Sequence, residues 1–400
     1  MKKPKIRFKG FTETWEQRKL GNIMEVASVK RIHRKDWTDS GVRFLRARDI
    51  VSHFKNEKQN DCLYISKEKY DECSALSGKV SVGDLLVTGV GTIGIPYLVN
   101  DLNPIYFKDG NIIWFKNGSK INGFFLYYSF IGNEIQNFIN VLSGTGTVGT
   151  YTIESGKKTS ISLPDKLEQQ KIGNFLKHLD HLITLHQRKC ENLKKLKKFM
   201  LQKLFPQNGE NVPKVRFLNF TDTWEQRKFK NIVERLSESY MSDDKNPSVE
   251  YEDIISELGT INKDIFNKRI RKNGIKFSNN EILYGKLRPY LHNWLKPDFN
   301  GIAVGDWWVL KPINCDREFI FRLIQTSTFD NIANQSNGTK MPRADWNLIA
   351  NSDFYLPISI YEQKQIGSLF SKLDHLITLH QSKCDKLKEV KKYMLQNMFI

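Results

Sequence analysis

LDHLITLHQ, at Leu179 to Gln187, reappears unchanged at Leu373 to Gln381. Reading outward from it, the positions Ile172, Leu176, Leu179, Ile183, His186, Cys190, Leu193, Lys197, Met200 and Leu204 alternate in steps of four and three, the seam of a coiled coil. The same spacing recurs at Ile366, Phe370, Leu373, Ile377, His380, Cys384, Leu387, Lys391, Met394 and Met398. No Gly or Pro interrupts 174–205, as a long helix requires. A second duplicated segment stands upstream of each copy, PKIRFKGFTETWEQRK at Pro4 to Lys19 and PKVRFLNFTDTWEQRK at Pro213 to Lys228. The chain is therefore a tandem duplication whose ends repeat and whose middles differ. Shared ends imply one architecture; diverged middles imply two different targets.

The first middle, Leu20 to Pro164, reads as a mixed α and β domain. Short strands are expected at Val42 to Leu45, Asp84 to Thr88, Pro96 to Val99 and Asn111 to Phe115, and one helix at about Ile121 to Val141. A Gly and Thr rich loop, Ser143 to Thr150, leads to a strand-like TSISLP ending at Pro164. PQNGENV, at Pro206 to Val212, is a hinge-like linker into the second unit. The expected boundaries are a first domain at 1–165, a first long helix at 166–205, a second domain at 206–358 and a second long helix at 359–400.

Each seam is a stripe that needs a partner, and the other copy is the nearest one. A helix from Glu168 to Phe205 rises roughly 57 Å, while a seven-residue linker reaches about 25 Å. Parallel pairing would oblige the second domain to span the remainder. Antiparallel pairing needs no return, so the expected fold class is α+β, with two mixed α/β domains separated by two long helices in an antiparallel coiled coil of pseudo-two-fold symmetry. Readers related by such an axis suit the two half-sites of a duplex.

Lysine and arginine outnumber aspartate and glutamate by 62 to 44, a formal charge of +18. That excess favours a polyanionic partner. The five cysteines (Cys62, Cys73, Cys190, Cys315 and Cys384) include no C-x-x-C pair, which points to a reducing, cytoplasmic setting. Neither an export signal nor a membrane span is expected, since the most apolar stretch, Asp84 to Val99, is broken by glycines and Pro96.

Motifs that would carry chemistry are incomplete. Gly89, Gly91 and Gly94 form a G-x-G-x-x-G, with Asp109 near the ribose-binding spacing, but Pro96 and a β-like YLV follow where a helix should open. They read as a tight strand connection. Gly156 and Lys157 lack the Ser or Thr of a phosphate loop, and Glu362 with Lys364 is only half of a nuclease signature. The chain also lacks the Asn-Pro-Pro-aromatic segment of amino-methyltransferases, so no cofactor and no catalysis are expected of it. The alternative is a self-contained DNA methyltransferase or nuclease. In the seam, antiparallel pairing would set His186 opposite Cys384 and Cys190 opposite His380. That donor set suits zinc, although a small polar layer that fixes register is the reading adopted, with no metal.

Candidate DNA contacts are the basic clusters of the middles. They are Lys30, Arg31, Arg34, Lys35, Arg46 and Arg48 in the first domain, and Arg269, Arg271, Lys272, Lys286, Arg288, Lys340 and Arg343 in the second. Arginine reads guanine edges bidentately, while lysine more often holds phosphate.

The whole pattern resembles the specificity subunit of type I restriction-modification systems. The resemblance rests on TWEQRKLGNI at Thr14 to Ile23, TWEQRKFKNI at Thr223 to Ile232, GDLL at Gly83 to Leu86, and a Leu-Pro followed by Glu-Gln-x-x-Ile-Gly. That last motif is Leu163, Pro164, Glu168, Gln169, Ile172 and Gly173, then Leu356, Pro357, Glu362, Gln363, Ile366 and Gly367. In the second domain NEILYGKLRPY, at Asn280 to Tyr290, stands where the first has GDLL. The resemblance implies two target recognition domains reading the halves of a split site in double-stranded DNA. It also implies helices that bind modification subunits, two of them, and an assembly completed by restriction subunits.

Overall fold

The computed structural model describes residues 3–143, 149–207, 210–335 and 341–400. Most of the Gly and Thr rich loop after Ser143 and the middle of the PQNGENV linker lie outside the described residues. The chain divides into two compact units, Met1–Leu185 with Lys383–Ile400, and His186–Ser382.

In the first unit the entry strand Glu16–Lys19 pairs antiparallel with Ser160–Leu163. One four-stranded sheet runs Glu25–Ala27, Ile112–Lys116, Leu85–Thr88, Pro96–Leu98, and a second runs Trp37–Thr38, Leu63–Ile65, Val42–Leu45, Ile105–Phe107. The last pair of the second sheet is parallel. The Val42 strand has the expected bounds, and the others are displaced by a residue at one end or both. Asp84 drops out of its strand because its buried carboxylate accepts from Trp114 Nε1 and the Asn117 amide, each at 2.9 Å.

The single helix expected at about Ile121 to Val141 is instead two, Gly123–Ile131 and Asn133–Ser143. Gly132 between them is extended, with ψ 155°. Gln136 Nε2 donates to the freed Phe130 carbonyl and, at 2.9 Å, to Gly94 O, so a side chain replaces the interrupted helical bonds. Hydrophobic periodicity does not register such a break.

The second unit repeats the entry pair and the first sheet, but in its other sheet the two parallel strands exchange places: Asn273–Phe277 pairs with Gly301–Ala303, leaving Ser248–Val249 outermost. Glu225–Lys228 pairs with Asp353–Leu356. One sheet runs Val233–Leu236, Trp307–Pro312, Ile282–Gly285, Trp294–Leu295, and the other runs Ser239–Met241, Asn273–Phe277, Gly301–Ala303, Ser248–Val249. Ile282–Gly285 takes the place of Leu85–Thr88, so NEILYGKLRPY preserves the strand and alters the turn after it.

The long helices are Lys166–Lys203 and Ile360–Asn397, each of 38 residues. In the first unit the beginning of one packs with the end of the other: Ile172, Leu176 and Leu179 share a core with Leu387, Met394 and Met398. In the second unit Ile366, Phe370 and Leu373 share a core with Leu193, Met200 and Leu204. The helices are antiparallel. His186 does not meet Cys384 as expected; its Nδ1 lies 2.8 Å from His380 Nδ1, so one ring donates and the other accepts. Residues nearest the middle of an antiparallel pair of duplicates meet their own copies. Cys190 Sγ approaches Gln381 Oε1 at 3.6 Å. Among the described residues no three His, Cys, Asp or Glu side chains are grouped to hold a metal ion, and no helix is long and apolar enough to cross a membrane.

The Glu-Gln-x-x-Ile-Gly motif welds each helix to its domain. Glu168, fully buried, takes a bidentate pair from Arg7 at 2.7 Å, and Glu362 takes the same from Arg216 at 2.7 and 2.9 Å. Such forks are the strong form of the ion pair. Gln169 donates to Pro164 O and accepts from the Asn122 amide; Gln363 does so with Pro357 O and the Asp316 amide. Asn122 and Asp316 in turn cap the next helices by accepting from Phe125 and Phe319. The glycine makes room for this cap. A Cβ at Gly367 would lie 2.4 Å from Glu318 Cβ and 3.1 Å from Asp316 Oδ1. Gly367→Ala is expected to destabilise the chain by about 1–3 kcal/mol despite alanine's better helix propensity, as read by denaturant titration.

Candidate nucleic-acid interface

In the first unit the parallel strands Val42–Leu45 and Ile105–Phe107 end side by side, with the Lys108 amide donating to Leu45 O at 2.8 Å. The segments after them therefore leave the sheet at one edge. Arg46 begins one segment, and its guanidinium is committed to Asp49 by two 2.9 Å contacts and to Asp61 at 3.3 Å. Those carboxylates, Asp49 first, raise the Arg46 pKa. Arg48 is exposed and reaches Asp61. On the other segment Asp109 holds Arg31 at 2.7 Å, and Asn111 O accepts from the Gly89 amide at 2.8 Å. Gly89 O accepts from the Tyr151 amide at 2.8 Å.

The glycines from Gly89 to Gly94 thus form the tip of a hairpin between Leu85–Thr88 and Pro96–Leu98, at the edge where Arg31, Arg46 and Arg48 gather. No helix opens there. Lys30 is exposed, and its carbonyl accepts from Tyr106 OH at 2.8 Å. Arg34 and Lys35 are exposed on a turn before the outermost strand, without an ion pair among the described residues.

The second unit builds the same edge with other residues. The Val304 amide donates to Val249 O at 2.9 Å, and the Glu250 amide donates to Asp253 Oδ2 at 2.6 Å, matching Arg46 with Asp49. Burial pushes the Asp253 carboxyl up, but Lys268, the Glu250 amide and Lys263 outweigh it and hold it below the usual carboxylate range. Lys272 is bound to Glu250. Arg269 and Arg271, both exposed, line an open cleft on the connecting segment together with Asp243, Asp244 and Lys268.

At the hairpin the Lys286 amide donates to Asp306 O at 2.9 Å and Lys286 O accepts from the Ala344 amide at 2.8 Å. This is the clamp made by Gly89, Asn111 and Tyr151 in the first unit. Asp306 also takes both arms of Arg343 at 3.2 Å and faces Lys286 Nζ at 3.6 Å; Arg343 foremost holds its carboxyl below the usual range. Arg288 comes next in the left-handed region, with φ 48°, its amide donating to Pro342 O at 2.7 Å. Lys286, Arg288 and Arg343 are thus brought together, with Lys272 near them through Glu250 and Tyr251, whose hydroxyl donates to Asp306 O. Lys340 lies outside the described residues.

Two elements of the edge are absent from the sequence-derived set: Lys108 and the backbone of the Gly89 hairpin. The amide ladder that places them spans residues far apart in sequence.

A family model described as the type I restriction modification DNA specificity domain matches residues 12–195 and again residues 221–389. The chain belongs to this family. The two matches contain the two edges, so each specificity domain carries one hairpin clamp. Among curated relatives, the type I restriction enzyme MjaVIII specificity subunit of Methanocaldococcus jannaschii is 25% identical over 256 residues, 59% of this chain and 60% of its own. The MjaIX specificity subunit of the same organism is 26% identical over 191 residues, 46% of this chain and 41% of its own. The alignments thus span between about two fifths and three fifths of these relatives' length. The S subunit of a type I restriction-modification system from M. genitalium has the same fold, with a TM-score of 0.66 at 14% identity, covering 100% of this chain and 99% of that one. A chain from a structure describing complex assembly and conformational transition of the type I system matches at TM-score 0.52 and 14% identity, over 96% of this chain and 97% of that one.

Proposed function

We propose that this chain is the non-catalytic specificity subunit of a type I restriction-modification complex in the cytoplasm. It reads a split, asymmetric site in double-stranded DNA and assembles two modification subunits with the restriction subunits. The observation that carries this reading is the edge built twice on one backbone plan with different side chains, Gly89, Asn111 and Tyr151 in one copy and Lys286, Asp306 and Ala344 in the other. One plan serves one kind of ligand; different side chains serve different sequences. We assign residues 1–165 and 206–358 to target recognition and 166–205 and 359–400 to the helical spacer. The DNA contacts are drawn from the basic residues of the two edges, with Lys30, Arg34, Lys35, Arg269, Arg271 and Lys340 flanking them. The +18 charge supports a polyanionic ligand, and five free cysteines suit a reducing compartment.

The repeat also supports two equal partner contacts. Leu196 and Phe199 on the first helix, and their duplicates Val390 and Tyr393 on the second, are exposed by 44, 50, 41 and 55%. Apolar pairs left open at the same place in both copies mark a repeated docking face. Phe199→Glu is expected to remove one modification subunit from the reconstituted complex and Tyr393→Glu the other, with the double variant binding none, as counted by native mass spectrometry. Loss of both subunits from either single variant would contradict independent, equivalent sites.

A further inference from the structure

Resting on the proposed DNA-reading role, we infer that the hairpin tip of each domain is a phosphate-holding element, and that in the second domain Arg288 is the group that holds the phosphate. Lys286 and Arg343 flank it, yet both face Asp306, which neutralises one of their two charges. Arg288 has no carboxylate partner among the described residues, and its Nε is buried without an acceptor. Its backbone is fixed on both sides, the Arg288 amide on Pro342 O and the Leu291 amide on Arg288 O. With Nε buried, the terminal nitrogens Nη1 and Nη2, unpaired among the described residues, are the donors that this braced, left-handed residue, beside exposed Tyr290 and Met341, offers to an anion.

The first domain reaches the same end without a cation. Its tip, Val90 to Ile93, holds no charged side chain, and the amides of Val90, Gly91, Thr92 and Ile93 make no hydrogen bond among the described residues. Gly91 and Gly94 take the left-handed region at φ 71° and 77°, so the tip turns tightly and leaves those amides as unpaired donors for an anion. Two side-chain chemistries on one clamp are explained by a shared ligand, and the feature shared by every DNA site is its backbone. Phosphate contacts position a reader and carry no sequence information, so base reading falls to the segments beside the tips.

The test uses the complex assembled with its modification subunits, a duplex carrying the motif found by methylome sequencing, and a shuffled duplex. Arg288→Ala is expected to weaken both duplexes by the same factor, roughly tenfold at low salt, and to lower the salt slope by about 0.9. Arg288→Lys should restore the slope. Thr92→Asp, which sets a carboxylate in the first tip, should weaken both duplexes equally, and the methylated motif should be unchanged in every variant. A motif relaxed at one base by Arg288→Ala would make this arginine a base reader and overturn the inference. So would affinities and slopes unchanged in Arg288→Ala or in Thr92→Asp, with thermal melting confirming folded protein. Failure of the unsubstituted complex to distinguish the two duplexes would instead overturn the DNA-reading role itself.

Discussion

Asp374→Asn should cost about 3–5 kcal/mol, whereas the equivalent Asp180→Asn should cost about 1 kcal/mol. Both aspartates join a long helix to its partner helix and to a domain, yet their surroundings differ. Asp374 accepts from Arg322 Nη1 at 2.6 Å and pairs with Lys197 Nζ at 2.7 Å, and the Arg322 side chain is 1% exposed. Burial lowers the pKa of both cations, and the aspartate opposes that shift. Without its charge, the two buried cations face each other with only Glu318, 3.3 Å from Arg322 Nη2, left among the described residues to pair with them. Asp180 accepts from the neutral Tyr128 hydroxyl at 2.6 Å and from Lys391, so an asparagine there strands a single, more exposed lysine. At about 2–4 °C per kcal/mol for a unit of this size, the two variants should differ in melting temperature by roughly 10 °C. Equal shifts would show that the buried arginine is not what makes the second joint depend on its carboxylate.

The two joints also show what the sequence makes legible. The duplicated seam is written in local spacing, so the long helices and their antiparallel pairing could be read from Ile172, Leu176 and Leu179 and their copies. The Glu-Gln-x-x-Ile-Gly motif was visible as a repeat, but its reason was not. Glu168 finds Arg7 across the whole first domain, and Gln169 finds the Asn122 amide that no residue type announces. The split at Gly132 escaped for a related reason: Gln136 repairs the break through Phe130 O and Gly94 O, leaving the apolar rhythm intact.

At the edges the basic clusters stood out, but which cations stay uncommitted depends on carboxylates that are distant in sequence. Asp109 takes Arg31, Asp61 takes Arg48, and Asp306 takes Arg343. The uncharged Gly89 tip offered no side-chain signal at all. Its equivalence to the Lys286 hairpin rests on amide bonds alone, and composition is silent about those.

On the proposed function two independent readers stand on one repeated scaffold, and exchanging one of them separates their contributions. The exchange should be made at Leu20 to Pro164, because both flanks are repeated structure: the entry strand Glu16–Lys19 pairs with Ser160–Leu163 just outside or at the limits of the replaced segment. The donor is the corresponding middle of another specificity subunit whose motif differs in both halves. The exchanged chain is assembled with its modification subunits and the methylated sites are mapped across a genome. One half of the motif is expected to become the donor's, while the other half is still dictated by residues 206–358. A motif in which both halves change together, or in which neither changes although methylation persists, would contradict it.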